Sequence, residues 1–178
     1  MKNQKRARDF GIIIGNMPPG KYNSITDVPG VKVGHSTLDE GDIKTGVTAI
    51  LPHDGNIFRE KIIGACYVIN GFGKSLGLIQ IEELGNIETQ IILTNTLSVG
   101  TAHEALVKYM LSIDEDIKSL NPIVGECNDG YLNDIRGLHV KEDHVFQALE
   151  NASVEFEEGN VGAGTGMVCY GLKGGIGT

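Results

Sequence analysis

The residues with the most chemistry to offer lie in one short run, Glu126-Cys127-Asn128-Asp129-Gly130-Tyr131-Leu132-Asn133-Asp134. It gathers two Asn, two Asp and a Glu around a glycine, directly after the apolar run Pro122 to Val124. An Asn amide can stabilise an oxyanion. The residues alone leave two readings open. One is a polar turn whose Asx side chains bond their own backbone; the other is an array of amide donors and carboxylates at a strand end. A second run, Thr94-Asn95-Thr96-Leu97-Ser98-Val99-Gly100, is a strand end feeding a helix. Such a junction presents N–H groups and hydroxyls to a ligand, or simply caps the helix. A third, Asn70-Gly71-Phe72-Gly73-Lys74, is again a strand-end turn carrying Asn. Three such ends suggest one rim that collects amide groups.

The elements that must position these residues follow from periodicity. Apolar residues at Val99, Ala102, Leu106, Met110 and Ile113 predict a helix from Ser98 to about Ile113, with the Ser98 hydroxyl as its cap. Val145, Leu149 and Ala152 predict a second helix over about Glu142 to Ala152, and Leu76 to Leu84 a short third. Pro29-Gly30 sets a turn into a short strand ending near His35. Strands are predicted at Thr45 to Leu51, Thr89 to Thr94, Val154 to Phe156 and Met167 to Leu172. Ile62 to Asn70, with its continuous apolar character, reads as a strand buried on both faces. Strands rarely joined by two-residue turns, mixed irregularly with helices, point to an α+β domain.

Composition narrows the function classes. The chain has 178 residues, enough for one domain with a real core. Its 25 glycines are about twice the usual ~7% and show no Gly-X-Y period, so they mark tight turns and close backbone approaches. A net charge of -8 argues against a nucleic-acid partner. No apolar stretch is long enough to span a membrane. Ile12 to Ile14 is too short for a signal peptide, and a cytoplasmic protein is expected. Cys66, Cys127 and Cys169 are far apart and read as small buried hydrophobes. The five histidines form no helical pair of metal ligands, so neither a metal nor another cofactor is expected. Gly162-Ala163-Gly164-Thr165-Gly166 precedes a strand instead of a helix, the reverse of a dinucleotide site.

The chain closes on a glycine-dense run ending Lys173-Gly174-Gly175-Ile176-Gly177-Thr178. With Met167 to Leu172 as a core strand, these glycines read as a tight turn, and the chain as cut inside a fold.

Several separated motifs resemble the L-aminopeptidase/D-esterase family, which includes the β-peptidyl aminopeptidases. They are Arg6-Ala7-Arg8-Asp9, the run from Ile25 to His35, Thr94-Asn95-Thr96-x-Ser98-Val99-Gly100, Asp129-Gly130-x-Leu132-Asn133-Asp134, and the glycine-rich stretch from Gly159 to Thr178. They occur in order along essentially the whole chain. The resemblance implies a precursor that cuts itself into an α chain and a β chain whose first residue, a serine, is the nucleophile. A second serine and a glutamate of the β chain would assist. Residues 1–178 would be the α chain, a single-domain fragment of a four-layer αββα sandwich completed by the β chain, commonly in a tetramer of αβ units. The implied activity is removal of N-terminal residues from short peptides, amides or esters. Asn133 would be the oxyanion donor; Asn70 and Asn95 would line the substrate pocket; Glu126 or Asp129 would meet the substrate's ammonium group; and Gly175, Gly177 and Thr178 would lie in the self-cleavage turn. Two departures stand out. Related sequences often carry an aromatic residue or His where Leu97 stands, and Gly-Glu-Met where this chain has Gly73-Lys74-Ser75. Lys74 therefore bears on amine recognition at that loop.

Two other classes fit the sequence. A self-cleaved N-acyltransferase of the ornithine acetyltransferase kind uses a threonine, and Thr178 would then begin the partner chain. A non-catalytic binding or assembly module is the other.

Overall fold

A computed structural model describes residues 5–178. Its centre is a sheet of four strands in the order β1-β2-β5-β6. β1 (Lys32–Glu40) and β2 (Ile43–Leu51) form an antiparallel hairpin in full register from Lys32↔Leu51 to Glu40↔Ile43. The two-residue loop is Gly41-Asp42, and Gly41 takes a left-handed φ of 53° that favours glycine. β1 thus runs past His35, and a tight hairpin stands where none was expected. β5 (Ile91–Asn95) pairs antiparallel with β2 and parallel with β6 (Ile123–Cys127). α2 (Val99–Ile113) makes the crossover between these parallel strands.

The helices cover one face of the sheet. Val99, Ala102, Leu106 and Met110 of α2 are buried as the spacing predicts, while Ile113 at the helix end is exposed. α3 (Glu142–Glu150) contributes Val145, Ala148 and Leu149. It lies so close to β1 that a Cβ on Gly34 would strike the Ala148 carbonyl. Val47, Ala49, Ile92 and Val124 meet these helices in one core cluster. Each Val, Leu, Ile or Met side chain among them contributes about 1.5–3 kcal/mol on leaving water.

The opposite face is covered differently. Gly162–Gly164 form a 3-10 turn on β2, where Gly162 N–H donates to Thr37 Oγ1 (2.8 Å) and Ala163 N–H to Thr48 Oγ1 (3.1 Å). Thr48 Oγ1 also lies 2.9 Å from His35 Nδ1, while His35 Nε2 meets the Glu157 carbonyl at 3.0 Å. A carbonyl can only accept, so Nε2 carries the hydrogen and Nδ1 accepts from Thr48. Burial lowers the His35 pKa, which agrees with a neutral ring.

The remaining elements are β3 (Ile62–Ile63) paired with β4 (Asn86–Ile87), α1 (Leu78–Leu84), and the small pair β7 (Val168–Cys169) and β8 (Leu172–Lys173). Three expectations are corrected here. The run from Ile62 to Asn70 is a two-residue strand followed by an exposed segment: Ile63, Tyr67 and Ile69 are 89–95% exposed. After Ile63 its backbone has no ladder partner, so apolar composition alone did not bury it. Met167 to Leu172 is not a core strand either. It turns back on itself at Tyr170-Gly171, both at positive φ, leaving Tyr170 and Cys169 exposed. Val154 to Phe156 forms no strand; only Ser153 bridges, to Val33. Among the described residues no helix is long and apolar enough to cross a membrane.

Candidate active site

Parallel pairing sets Thr94 opposite Glu126 and Asn95 opposite Cys127, so β5 and β6 end side by side. Asn95 is buried at that point. Its Oδ1 accepts from Ser98 N–H and its Nδ2 donates to Thr45 Oγ1, each at 3.0 Å. Asn95 therefore caps the turn entering α2, the task expected of Ser98, whose side chain makes no cap bond. Both ends of the Asn95 amide are occupied, which makes it a positioning group that ties β5, β2 and α2 together.

Beyond β6 the chain makes a tight turn in which Leu132 N–H and Asn133 N–H both donate to the Asp129 carbonyl, at 3.1 and 3.0 Å. The Asp129 and Asn133 side chains are buried, 1% and 7% exposed. Asn133 Oδ1 accepts from Lys44 N–H at 2.9 Å. A backbone N–H can only donate, so this bond fixes which end of the amide is oxygen. It leaves Asn133 Nδ2 buried with no partner, and Asp129 Oδ1 is buried without one as well. An unsatisfied buried donor costs about 1–3 kcal/mol, and such groups in native proteins call for an explanation. A donor held ready for a charge that develops during reaction supplies one. Burial pushes the Asp129 carboxyl above the ordinary value of 3.8; the Thr45, Asn133 and Asn95 side chains nearby, none in hydrogen-bonding geometry with it, pull the other way. Cys127 beside it is pushed up to about 11 by burial, so its thiol is inert at neutral pH.

Glu126 has a different environment. Its carboxylate accepts from Thr96 Oγ1 (2.5 Å) and from Lys74 N–H (3.1 Å), and Lys74 Nζ lies 3.5 Å away. The loop that carries Lys74 is anchored along β6: Leu76 and Val124 exchange backbone bonds, and Glu126 N–H donates to Ser75 Oγ. Asn70 stands outside this group. It is exposed, and its side chain closes an Asx turn onto Phe72 N–H.

The glycine segment links the amide cluster to the last residues. A Cβ on Gly166 would strike the Lys44 carbonyl and come within 2.7 Å of Asp129 Cβ, and one on Gly164 would strike Ile176 N. Among residues 174–178 only Ile176 pairs, in an isolated bridge with Gly159. Gly159 and Ile176 exchange backbone bonds of 2.7 and 2.8 Å, and a Cβ on Gly175 would collide with the Gly159 carbonyl, so this close bridge needs glycine there. Gly177 meets nothing, and Thr178 accepts from Ile25 N–H at Oγ1 (2.7 Å) and from Arg6 Nη2 at its carbonyl (3.0 Å). Arg6 also donates to the Tyr22 and Asn23 carbonyls, so the N-terminal motif serves to hold the last residue. An open cleft of about 480 Å³ beside Thr178 is lined by residues including Arg8, Met17, Ile25 and Asp27. Among the described residues no three His, Cys, Asp or Glu side chains gather as a metal site.

Sequence reasoning thus singled out Asn95, Glu126, Asp129 and Asn133, and the fold brings them to one rim. It missed Lys44 and Thr45, the β2 residues that orient the two Asn side chains. The Gly41-Asp42 hairpin signal would have started β2 early enough to include Lys44. Asp42 itself joins the site by accepting from Asp134 N–H at 2.8 Å.

Known proteins resemble this chain closely. The chain is 40% identical over 183 residues to the β-peptidyl aminopeptidase BapA of Sphingosinicella microcystinivorans, a match that takes in 97% of this chain and 46% of BapA. BapA of Sphingosinicella xenopeptidilytica is likewise 40% identical over 186 residues. The chain spans about half the length of these curated relatives. Among solved structures, the PH0078 protein of Pyrococcus horikoshii OT3 superposes with a TM-score of 0.93 at 56% identity, over 95% of this chain and 52% of that one. A Burkholderia sp. β-aminopeptidase gives 0.89 at 45% identity, over 93% and 49%. The L-aminopeptidase D-Ala-esterase/amidase of Ochrobactrum anthropi, described as a prototype serine aminopeptidase and a variant of the Ntn hydrolase fold, gives 0.86 at 37%, over 96% and 51%. The sequence profile of peptidase family S58 matches residues 23–178, and this chain belongs to that family.

Proposed function

We propose that this chain is the α subunit of a self-processed serine aminopeptidase that hydrolyses N-terminal residues from short peptides, amides or esters. The observation that carries this reading is the buried, partnerless Nδ2 of Asn133, whose amide is held in one orientation by Lys44 N–H. When a hydroxyl attacks a substrate carbonyl, negative charge gathers on the carbonyl oxygen. A fixed N–H aimed at that oxygen stabilises the transition state more than the ground state. The serine that attacks would be the first residue of the β chain, whose hydroxyl needs a base to take its proton. Glu126, at the neighbouring end of β6, would receive the substrate's ammonium group. Asp129 would act behind Asn133 as a positioning group, and Asn95 behind both.

The exposed apolar segment around Ile63, Tyr67, Ile69 and Phe72 favours completion of the fold by the second chain. Large apolar side chains left exposed together along one segment mark a surface that a partner covers. A second sheet seated there would make the four-layer αββα sandwich. Assembly into a tetramer of αβ units and residence in the cytoplasm belong to the same proposal.

The experiment uses the complete gene product. N-terminal sequencing should find a companion chain beginning with Ser, and the protein should release p-nitroaniline from aminoacyl p-nitroanilides. Acetyl transfer to ornithine, with a companion chain beginning at Thr178, would establish the acyltransferase alternative instead.

A further inference from the structure

We propose that Lys74 is an internal counter-ion that occupies the ammonium site of Glu126, so that an incoming substrate amine must displace it. The inference rests on the reading of Glu126 as the ammonium acceptor and names what sets its selectivity. The Glu126 carboxylate is only 8% exposed in its side chain, and a carboxylate so buried needs a partner charge. Among the described residues Lys74 is the one cation within 4 Å of it. Two of the Glu126 partners are fixed by the fold: Lys74 N–H by the pairing of its loop along β6, and Thr96 Oγ1 by the turn into α2. The third is not. The Lys74 side chain is 45% exposed, and its ammonium sits 3.5 Å from Glu126 Oε1 and 4.3 Å from the centre of the Phe72 ring. A primary ammonium held between a carboxylate and an aromatic face is the arrangement a substrate's own terminal ammonium would adopt. Lys74 carries that same group on a flexible stem, so the two compete for one place. When Lys74 swings out, Glu126 keeps its two fixed donors and receives the substrate. The site would therefore bind free amines more weakly than the carboxylate alone allows, and would accept carbonyl substrates that lack an amine comparatively well.

The test compares L-alanyl p-nitroanilide with propionyl p-nitroanilide, which differ only in the ammonium group, and adds isothermal titration of n-propylamine as a readout independent of turnover. Lys74→Met keeps the apolar stem and removes the charge. It should lower the ratio of alanyl to propionyl KM roughly 2- to 5-fold, the worth of a partly exposed ion pair, and tighten propylamine by a similar factor. Lys74→Arg should behave like the wild type. If the alanyl substrate is hydrolysed but Lys74→Met moves neither the KM ratio nor propylamine affinity, the counter-ion role is wrong and the peptidase reading stands. If no alanyl hydrolysis occurs yet propylamine still tightens, the counter-ion role stands and the peptidase reading fails. Absence of both effects overturns the inference outright.

Discussion

The helix-covered face of the central sheet and the ends of β5 and β6 are built on opposite terms. Under α2 and α3 the core is apolar and closed: Val47, Ile92, Leu106, Met110, Val124 and Val145 are wholly buried. At the ends of β5 and β6 the buried groups are polar, and two of their atoms have no partner. The first region loses solvent and gains packing, which is how a fold is stabilised. The second keeps an uncompensated donor and acceptor out of water, at a cost to stability that a packed side would not bear. The difference is why the ends of β5 and β6, and not the packed face, are the candidate site.

Truncating the packed side should give the largest effect. Leu106→Ala is expected to lower unfolding free energy by about 2–5 kcal/mol, read by urea denaturation, because it empties a fully buried site. Catalytic turnover of the folded fraction should stay near that of the wild type; a loss of turnover without a loss of stability would erase the contrast.

Glycines sharpen the comparison next. Gly166 is pressed between the Lys44 carbonyl and Asp129, so Gly166→Ala should cost about 1–3 kcal/mol and depress turnover as the cluster shifts. Gly100, in the first turn of α2, faces open space. Gly100→Ala should stabilise by about 0.5–1 kcal/mol and leave turnover alone. Parallel thermal melts and initial rates check both, and equal behaviour of the two variants would contradict the assignment of Gly166 to the site.

The smallest effect depends on pH. Burial raises the Asp129 pKa above its ordinary 3.8, so the folded state holds a proton that the unfolded state has released. Its penalty is absent below that value and grows as pH rises from 3.8 through the raised pKa. Asp129→Asn removes the penalty while keeping the shape. The variant should match wild-type stability below pH 3.8, exceed it by a margin that grows as pH rises through the raised pKa, and hold that margin at higher pH; a stability gap independent of pH would show that burial does not raise the Asp129 pKa.

Much of this was legible in the sequence. The helical spacing of Val99, Ala102, Leu106 and Met110 located α2, since one covered stripe is enough to define it. The run at 62–70 was misread because apolar composition records that a surface must be covered and says nothing of what covers it. The Met167 to Leu172 run was misread because its turn lies inside it: Tyr170, a non-glycine residue, adopts a positive φ of 52° there. At the site, Asn133 and Asp129 stood out through their motif. The orientation of Asn133 did not, because it comes from Lys44, 89 residues distant in the chain. The pairing of Lys74 with Glu126 was equally hidden by a separation of 52 residues.

The most direct test measures kcat for L-alanyl p-nitroanilide in the complete gene product with Asn133 intact and with Asn133→Ala. A fall of about 10²–10³ with little change in KM is expected if the Asn133 amide meets the oxyanion only in the transition state. An unchanged kcat, in a variant shown by its melting curve to be folded, would contradict the central role given to that amide.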